Sequence, residues 1–452
     1  MLKHLKNRHT WVLLCLPLIV LVWFLPHTNS VRYGGLTALA LLCLTAPDIR
    51  QRVKAILGSA PLWVLWALTL WLLIQLGLFA WFPAETWHEL RGQWFKKIAF
   101  FVAGVSLASL ATTAPSAPPL RHPFAALTAL FYGLTLMMTI QVVEYGYWLL
   151  NGISPLMRVG LFGQKNELSY IANILFALGV AEGVARHFGA KSVLNLSAKT
   201  LAFACLMAAS VALLSGARNG VIGMILVFGS SAVLTVFLRR HSSVSSWRWL
   251  LVGGALSVGL AVASWQLDPR WARFAETLPH ALHSADHPSW LDEARYPFPL
   301  LKDGKPVEIS AYERVAFMTE GLKFSATHPA GIGFTRKAFS HAMEATFGQP
   351  SRHAHSGVVE WLIGMGWLGM ALWMVFLGLL FRQGFGHFLR YRSALGLLLA
   401  FVVAGFFGRM FIEIVTRDLA FELFMLVLGI LVASVRQARE QAVLADPSFA
   451  GR

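Results

Sequence analysis

Long apolar runs broken by short polar stretches set the pattern of this chain. Runs at residues 11–27, 30–47, 60–82, 98–114, 124–148, 166–186, 198–215, 219–238, 248–267, 356–381, 394–411 and 418–435 are long enough to cross a hydrocarbon core of about 30 Å. They predict about twelve transmembrane helices. The run at 30–47 is the least separate, with only a few polar residues between it and the first. Between Asp268 and His355 the pattern changes to one long hydrophilic segment. The expected fold is an all-α integral membrane protein. Spans one to nine occupy 1–267, a mainly helical loop domain 268–355, spans ten to twelve 356–435, and a tail 436–452.

The loop has a periodicity of its own. Ser310-Ala311-Tyr312-Glu313 has the form of a capping box and predicts a helix to about Thr327, with Val315, Met318 and Leu322 on one face. His328-Pro329 ends it, and Gly331-Ile332-Gly333 forms a turn. Thr335 then caps a second helix, with Ala338, Met343 and Phe347 near one side, which Gly348 stops. Segment 84–97, with Trp87, Trp94, Lys96 and Lys97, has the composition of a helix lying at the membrane interface.

Composition agrees with this pattern. Hydrophobic residues make up 56% of the 452 and charged residues 13%, with a mean hydropathy of +0.60. A soluble domain holds about 25% charged residues. The basic start Met1–Arg8 runs into Trp11–Pro26 without a small-residue cleavage site, so the first segment is expected to stay as a span. Cys15, Cys43 and Cys205 all lie inside apolar runs, as packing residues rather than a disulfide or metal framework.

A net charge of +16 can signal nucleic acid, but its distribution here reads as topology plus an anionic substrate. Lys and Arg of the short loops gather on the side of the N-terminus: Arg50, Arg52 and Lys54, then Arg186, Lys191 and Lys199, and later Arg382, Arg390 and Arg392. Cytoplasmic loops carry such an excess, so both termini are expected inside and the long loop outside.

The candidate chemistry lies on the outward side. Arg158, Lys165 and Asn166 precede span six, Arg218 and Asn219 sit in a tight turn between two spans, and Arg314 lies in the first turn of the loop helix. Arg336 follows in the loop, and Arg409 and Arg417 flank the last outward turn. Such cations either snorkel to headgroups or share a pocket for an anionic group such as a pyrophosphate. Arg409, Glu413 and Arg417, four apart, have the spacing to pair with one another.

Arg352-His353-Ala354-His355-Ser356 closes the loop. The two histidines are ordinary surface residues, metal ligands lacking a Cys or carboxylate partner, or a general base beside the membrane. Glu360, one turn into span ten, then orients a histidine or an arginine. No Walker loop, HExxH or Asp-x-Asp pair is present. An outward site without these motifs needs a donor already activated on that side.

In these residues the chain resembles the bacterial lipopolysaccharide O-antigen ligases, whose superfamily includes O-antigen polymerases and O-linked oligosaccharyltransferases. The likeness covers most of the chain. Its motifs are Arg158…Gly163…Asn166, Ser215-Gly216-Ala217-Arg218-Asn219-Gly220, and Arg314 followed by His328-Pro329-Ala330-Gly331-Ile332-Gly333. The last is His353-Ala354-His355-Ser356…Glu360…Gly364…Gly366…Gly369. Ser356 departs from the family's usual Asn, which puts a role for that side chain in doubt.

The resemblance implies transfer of an O-antigen glycan from undecaprenyl pyrophosphate to a sugar hydroxyl of lipid A–core. The reaction would use no metal, nucleotide or other cofactor, at the periplasmic face of the bacterial inner membrane. Arg218 and Arg314 would then neutralise the leaving pyrophosphate, and His355 would accept the acceptor's proton, with activity falling below the imidazole pKa. Arg158, Lys165, Asn166, Asn219, His353, Arg336, Glu360 and Arg409 would bind substrate. The partners would be that donor, that acceptor and membrane lipids, with no nucleic acid.

Three other readings remain. An O-antigen polymerase usually has two large outward loops, and this chain has one. A protein O-oligosaccharyltransferase often has a longer C-terminal extension. A lipid-glycan transporter should carry charges at mid-span, where this chain has little beyond Glu144 and Glu360.

Overall fold

The computed structural model describes residues 8–112, 124–156, 158–163, 165–239, 247–268, 270–284 and 286–445. It is helical throughout: α1 Arg8–Leu21, α2 Asn29–Leu44, α3 Pro47–Leu57, α4 Ala60–Leu78, α5 Pro83–Glu89, α6 Lys96–Ala108, α7 Ala125–Leu150, α8 Lys165–His187 and α9 Ala198–Leu214. These are followed by α10 Arg218–Arg239, α11 Trp247–Leu267, α12 Trp271–Leu282, α13 Ile309–Thr327, α14 Ala338–Phe347, α15 Gly357–Tyr391, α16 Ala394–Ile412 and α17 Asp418–Ala445.

Eight helices among the described residues are long and apolar enough to span a membrane: α4, α7, α8, α10, α11, α15, α16 and α17. By length and composition these helices fit a multi-pass integral membrane protein. The other four of the twelve expected spans fall on α1, α2, α6 and α9, of 14, 16, 13 and 17 residues. At 1.5 Å per residue each is shorter than a core of about 30 Å.

Helix α8 is the enclosed centre, with 94% of its apolar window buried, whereas α11 has 6% buried and turns its apolar residues outward. Close approach elsewhere depends on paired glycines. A Cβ on Gly104 of α6 would strike the Leu426 carbonyl of α17, and one on Gly429 of α17 would strike the Phe101 carbonyl.

The segment 84–97, expected as an interfacial helix, is helical, with α5 running through a π-turn, Leu90–Phe95, directly into α6. Span ten also departs from the expected uninterrupted run. Inside α15, Gly366 adopts φ 71° and ψ 179°, so the helix breaks there. The turn Pro329–Gly333 fills the gap. Ile332 and Gly333 donate their N–H groups to the Ile363 and Gly364 carbonyls, each at 3.0 Å, and the Trp367 N–H reaches the Pro329 carbonyl at 2.9 Å.

Gln75 of α4 closes the junction, donating to the Ala330 and Gly364 carbonyls at 2.7 and 2.8 Å. Backbone polar groups freed by a break in an apolar helix must find partners within the protein, and here the loop supplies them. The junction thereby anchors the loop domain to the bundle.

The loop domain contains the two expected helices and a third, α12, within the part of the hydrophilic segment that has no predicted element. Helix α13 begins two residues earlier than the capping box predicts. Its cap is Glu308, whose Oε2 accepts the Ala311 N–H at 2.7 Å. Tyr312, Ala316, Phe317 and Phe324 of α13 pack into a small core with Phe339, Ala342 and Met343 of α14. Gly348 ends α14 in the left-handed conformation, as the sequence predicts.

Candidate active site

The site lies where the loop domain meets one end of the bundle, and each of its side chains is placed by the end of an element. Helix α9 stops at Leu214, Gly216 turns the chain at φ 67°, and α10 begins at Arg218. Unpaired N–H groups make a helix start favourable for an anion. The turn is held from below by Asn173 of α8, whose amide donates to the Gly220 carbonyl at 2.9 Å.

Three neighbours fix the Arg218 guanidinium. Glu308 pairs with its Nη2 at 3.1 Å, Asp268 lies 3.9 Å from Nε, and the group sits 5.5 Å over the Trp271 ring. Burial opposes ionisation of Asp268, yet the bound Arg270 guanidinium holds its carboxyl below the usual carboxylate value.

Arg314 projects from α13 toward the same point. Its Nη1 donates to Asn219 Oδ1 and to the Ile412 carbonyl, both at 2.9 Å, while Nη2 lies 3.8 Å from Glu413. Its Nε is buried and has no hydrogen-bond partner. Burial draws the Arg314 guanidinium below its ordinary pKa, and the Glu413 carboxylate acts in the opposite direction.

His355 arrives from the loop's last residues. Its backbone is left-handed at φ 51°, which is uncommon for a residue with a side chain and typical of functional sites. The ring lies parallel to Phe317, 6.1 Å between centroids, and its Nδ1 is buried without a partner. Burial first, then the His353 ring and the cations Arg314, Arg352 and Lys165, push its pKa down to about 3. Ser356, where the family usually has Asn, caps α15 by accepting the Val359 N–H at 3.4 Å.

These residues line one cleft of about 360 Å³. Arg218, Asn219, Arg314, His355 and Ser356 form its polar part. The other wall is apolar: Ile222, Trp271, Phe274, Leu282, Met318, Leu322 and Phe411. The α13 face predicted from Val315, Met318 and Leu322 therefore lines the cleft, with Val315 and Met318 also packed against the core that Tyr312, Ala316, Phe317 and Phe324 fill.

The remaining expected site residues are distributed around this cleft. Lys165 heads α8 within electrostatic reach of Arg270, Arg314 and Arg218. Asn166 follows it, its carbonyl accepting the Ser169 hydroxyl at 2.8 Å. His353 lies 4.2 Å from His355, ring to ring. Glu360 accepts from Arg417 at 2.5 Å and from the Ala354 N–H at 3.2 Å. It therefore orients an arginine and the backbone between the histidines.

None of these four lines the cleft itself, and neither do Arg158, Arg336 and Arg409. Arg158 is exposed and donates to the Ser154 carbonyl at 3.0 Å. Arg336 pairs with Asp418. Arg409 is buried within the bundle and donates to Ser169 Oγ at 3.1 Å. The spacing of Arg409, Glu413 and Arg417 does not produce mutual pairing. Helix α16 ends at Ile412, so Glu413 turns toward Asn219 and Arg314 while Arg417 reaches Glu360.

Residues 203–374 match the family model described as O-Antigen ligase. The match supports the O-antigen ligase/polymerase superfamily for this part of the chain. The O-antigen ligase match takes in Arg218, Asn219, Arg314, Arg336, His353, His355 and Glu360, and ends before Arg409 and Glu413. A comparison with curated proteins gave no significant match.

Asp268, Glu308 and Arg270 carry no sequence signal as site residues, and the spacing of Glu413 points to Arg409 and Arg417 rather than to Asn219 and Arg314. Acidic residues around a site expected to take an anion gave no positive signal. Glu308 carried one usable cue, an acid just before a helix start, which is a capping position.

Proposed function

We propose that this protein moves an O-antigen glycan from undecaprenyl pyrophosphate to a sugar hydroxyl of lipid A–core, at the periplasmic face of the bacterial inner membrane. The observation that carries this reading is the composition of the cleft. Two arginines, an asparagine amide and a histidine from separate parts of the chain meet beside an apolar wall of Trp271, Phe274, Met318, Leu322 and Phe411. A polyprenyl diphosphate has the same two-part chemistry, an anionic group on an apolar chain.

In this reading the acceptor hydroxyl oxygen attacks the anomeric carbon of the glycan. The bond from that carbon to the diphosphate oxygen breaks, and the electron pair leaves with the polyprenyl diphosphate. Arg218 and Arg314 stabilise the charge that grows there. Arg supplies a planar, two-pronged contact to phosphate oxygens. His355 is neutral and takes the hydroxyl proton on its ring. Lys165, Asn219 and His353 support substrate binding. The donor is already activated, so neither nucleotide nor metal is required.

The experiment is a lipopolysaccharide gel from cells lacking the protein. Loss of the whole ladder, with lipid-linked glycan accumulating, supports ligation. Core carrying one repeat unit overturns it in favour of polymerisation.

A further inference from the structure

The end of α16 is a junction for the site, and Glu413 occupies it. After Ile412 the backbone of Glu413 is extended, φ −156° and ψ 157°. This swings its carboxylate away from the helix row that holds Arg409. The side chain is buried, 8% exposed, and Oε2 accepts the Asn219 amide N–H at 2.5 Å. The same amide presents Oδ1 to Arg314 Nη1 at 2.9 Å, so the carboxylate fixes which way the amide faces and the amide fixes the guanidinium. The Glu413 carbonyl accepts the Gly357 N–H at 3.1 Å, two residues beyond His355.

We propose that Glu413 is a positioning residue of the transfer site, acting through Asn219 to hold the Arg314 fork toward the leaving diphosphate; this rests on the functional reading above. The 3.8 Å separation between Glu413 and Arg314 Nη2 exceeds hydrogen-bond length, and Nε has no partner. One edge of the guanidinium is therefore uncommitted. A carboxylate placed solely to neutralise Arg314 would engage that edge.

Glu413 also has an electrostatic consequence. Its negative charge opposes binding of a diphosphate in a cleft where Arg314, Arg218 and Lys165 attract one. Removing the charge should leave anion binding intact or tighter, while freeing the Asn219 amide loosens the geometry. Binding and turnover then move in different directions, which a merely structural role does not produce.

The test is steady-state transfer by full-length Glu413→Gln, with inorganic pyrophosphate as a competing probe. The expected result is a fall in kcat of about 100-fold, the scale of a small misplacement in a site. The donor KM stays unchanged or falls, and pyrophosphate inhibits at the same or lower concentration. Asn219→Ala breaks the relay from its other side, so its loss and that of the double variant should match rather than multiply.

A kcat within a few-fold of wild type, a loss carried by KM, or multiplying losses would overturn the proposal. Wild-type protein that transfers no glycan would instead remove the functional reading. Pyrophosphate affinity in Glu413→Gln then decides the geometry: affinity at least equal to wild type supports it, and weaker affinity contradicts it.

Discussion

Glu360, one turn inside the membrane helix α15, accepts the main-chain N–H of Ala354 at 3.2 Å and so fixes the link between His353 and His355 from within the bundle. The same carboxylate pairs with Arg417, which balances its charge in a buried position. The histidines are thus set by the membrane domain although they belong to the loop.

That arrangement separates the two histidines in function. His355→Ala should cost about 100-fold or more in turnover, the range of a lost general base, with donor binding nearly unchanged. His353→Ala should cost appreciably less. Equal losses, or a pure binding defect for His355→Ala, would assign the proton to another group.

The pH profile provides a separate check. A free imidazole would lose its neutral form below about 6.5, which is where the sequence alone places the acid limb. Burial and surrounding cations hold His355 near 3, so it stays neutral well below that. Transfer should therefore hold from pH 8 down to about 5, and fall only as the His355 pKa is approached. A half-maximal rate near pH 6.5 would contradict this environment for His355.

Arg218→Ala and Arg314→Ala should each lose most transfer while the protein still accumulates in the membrane. Lys should rescue only in part, because it restores charge without the two-pronged contact. Full rescue by Lys would reduce the site to a general positive potential. Normal activity in both Ala variants would return these residues to headgroup contacts.

The sequence disclosed some of this more readily than the rest. Arg218, Arg314 and His355 stood out because charged residues beside apolar spans are costly and need a reason. Asp268 and Glu308 did not, and Glu413 pointed to the wrong partners, since all three act through contacts between residues far apart in the chain. Helix α12 was obscured by Pro279 within it, a residue that ordinarily interrupts helices. The break at Gly366 was hidden because a glycine in an apolar run fits an unbroken span equally well. Only the inserted turn Pro329–Gly333 explains it.

That junction should be intolerant of substitution. A Cβ at Gly331, where φ is 74°, would lie 2.5 Å from Gly366 N and 2.7 Å from Gln75 Nε2. Gly331→Ala should lower stability by more than about 1 kcal/mol. Gln75→Ala, which leaves the Ala330 and Gly364 carbonyls without this donor, should cost about 1–3 kcal/mol. Thermal unfolding of the purified protein measures both, and an unchanged Tm in either variant would contradict the interlock.

The most direct measurement is glycan transfer by purified protein from a polyprenyl pyrophosphate donor to lipid A–core, with chelator present and no nucleotide, comparing wild type with Arg314→Ala. The account expects wild type to form the joined product and Arg314→Ala to lose most of that activity. No product from wild type, or product that appears only when a divalent ion is returned, would contradict it.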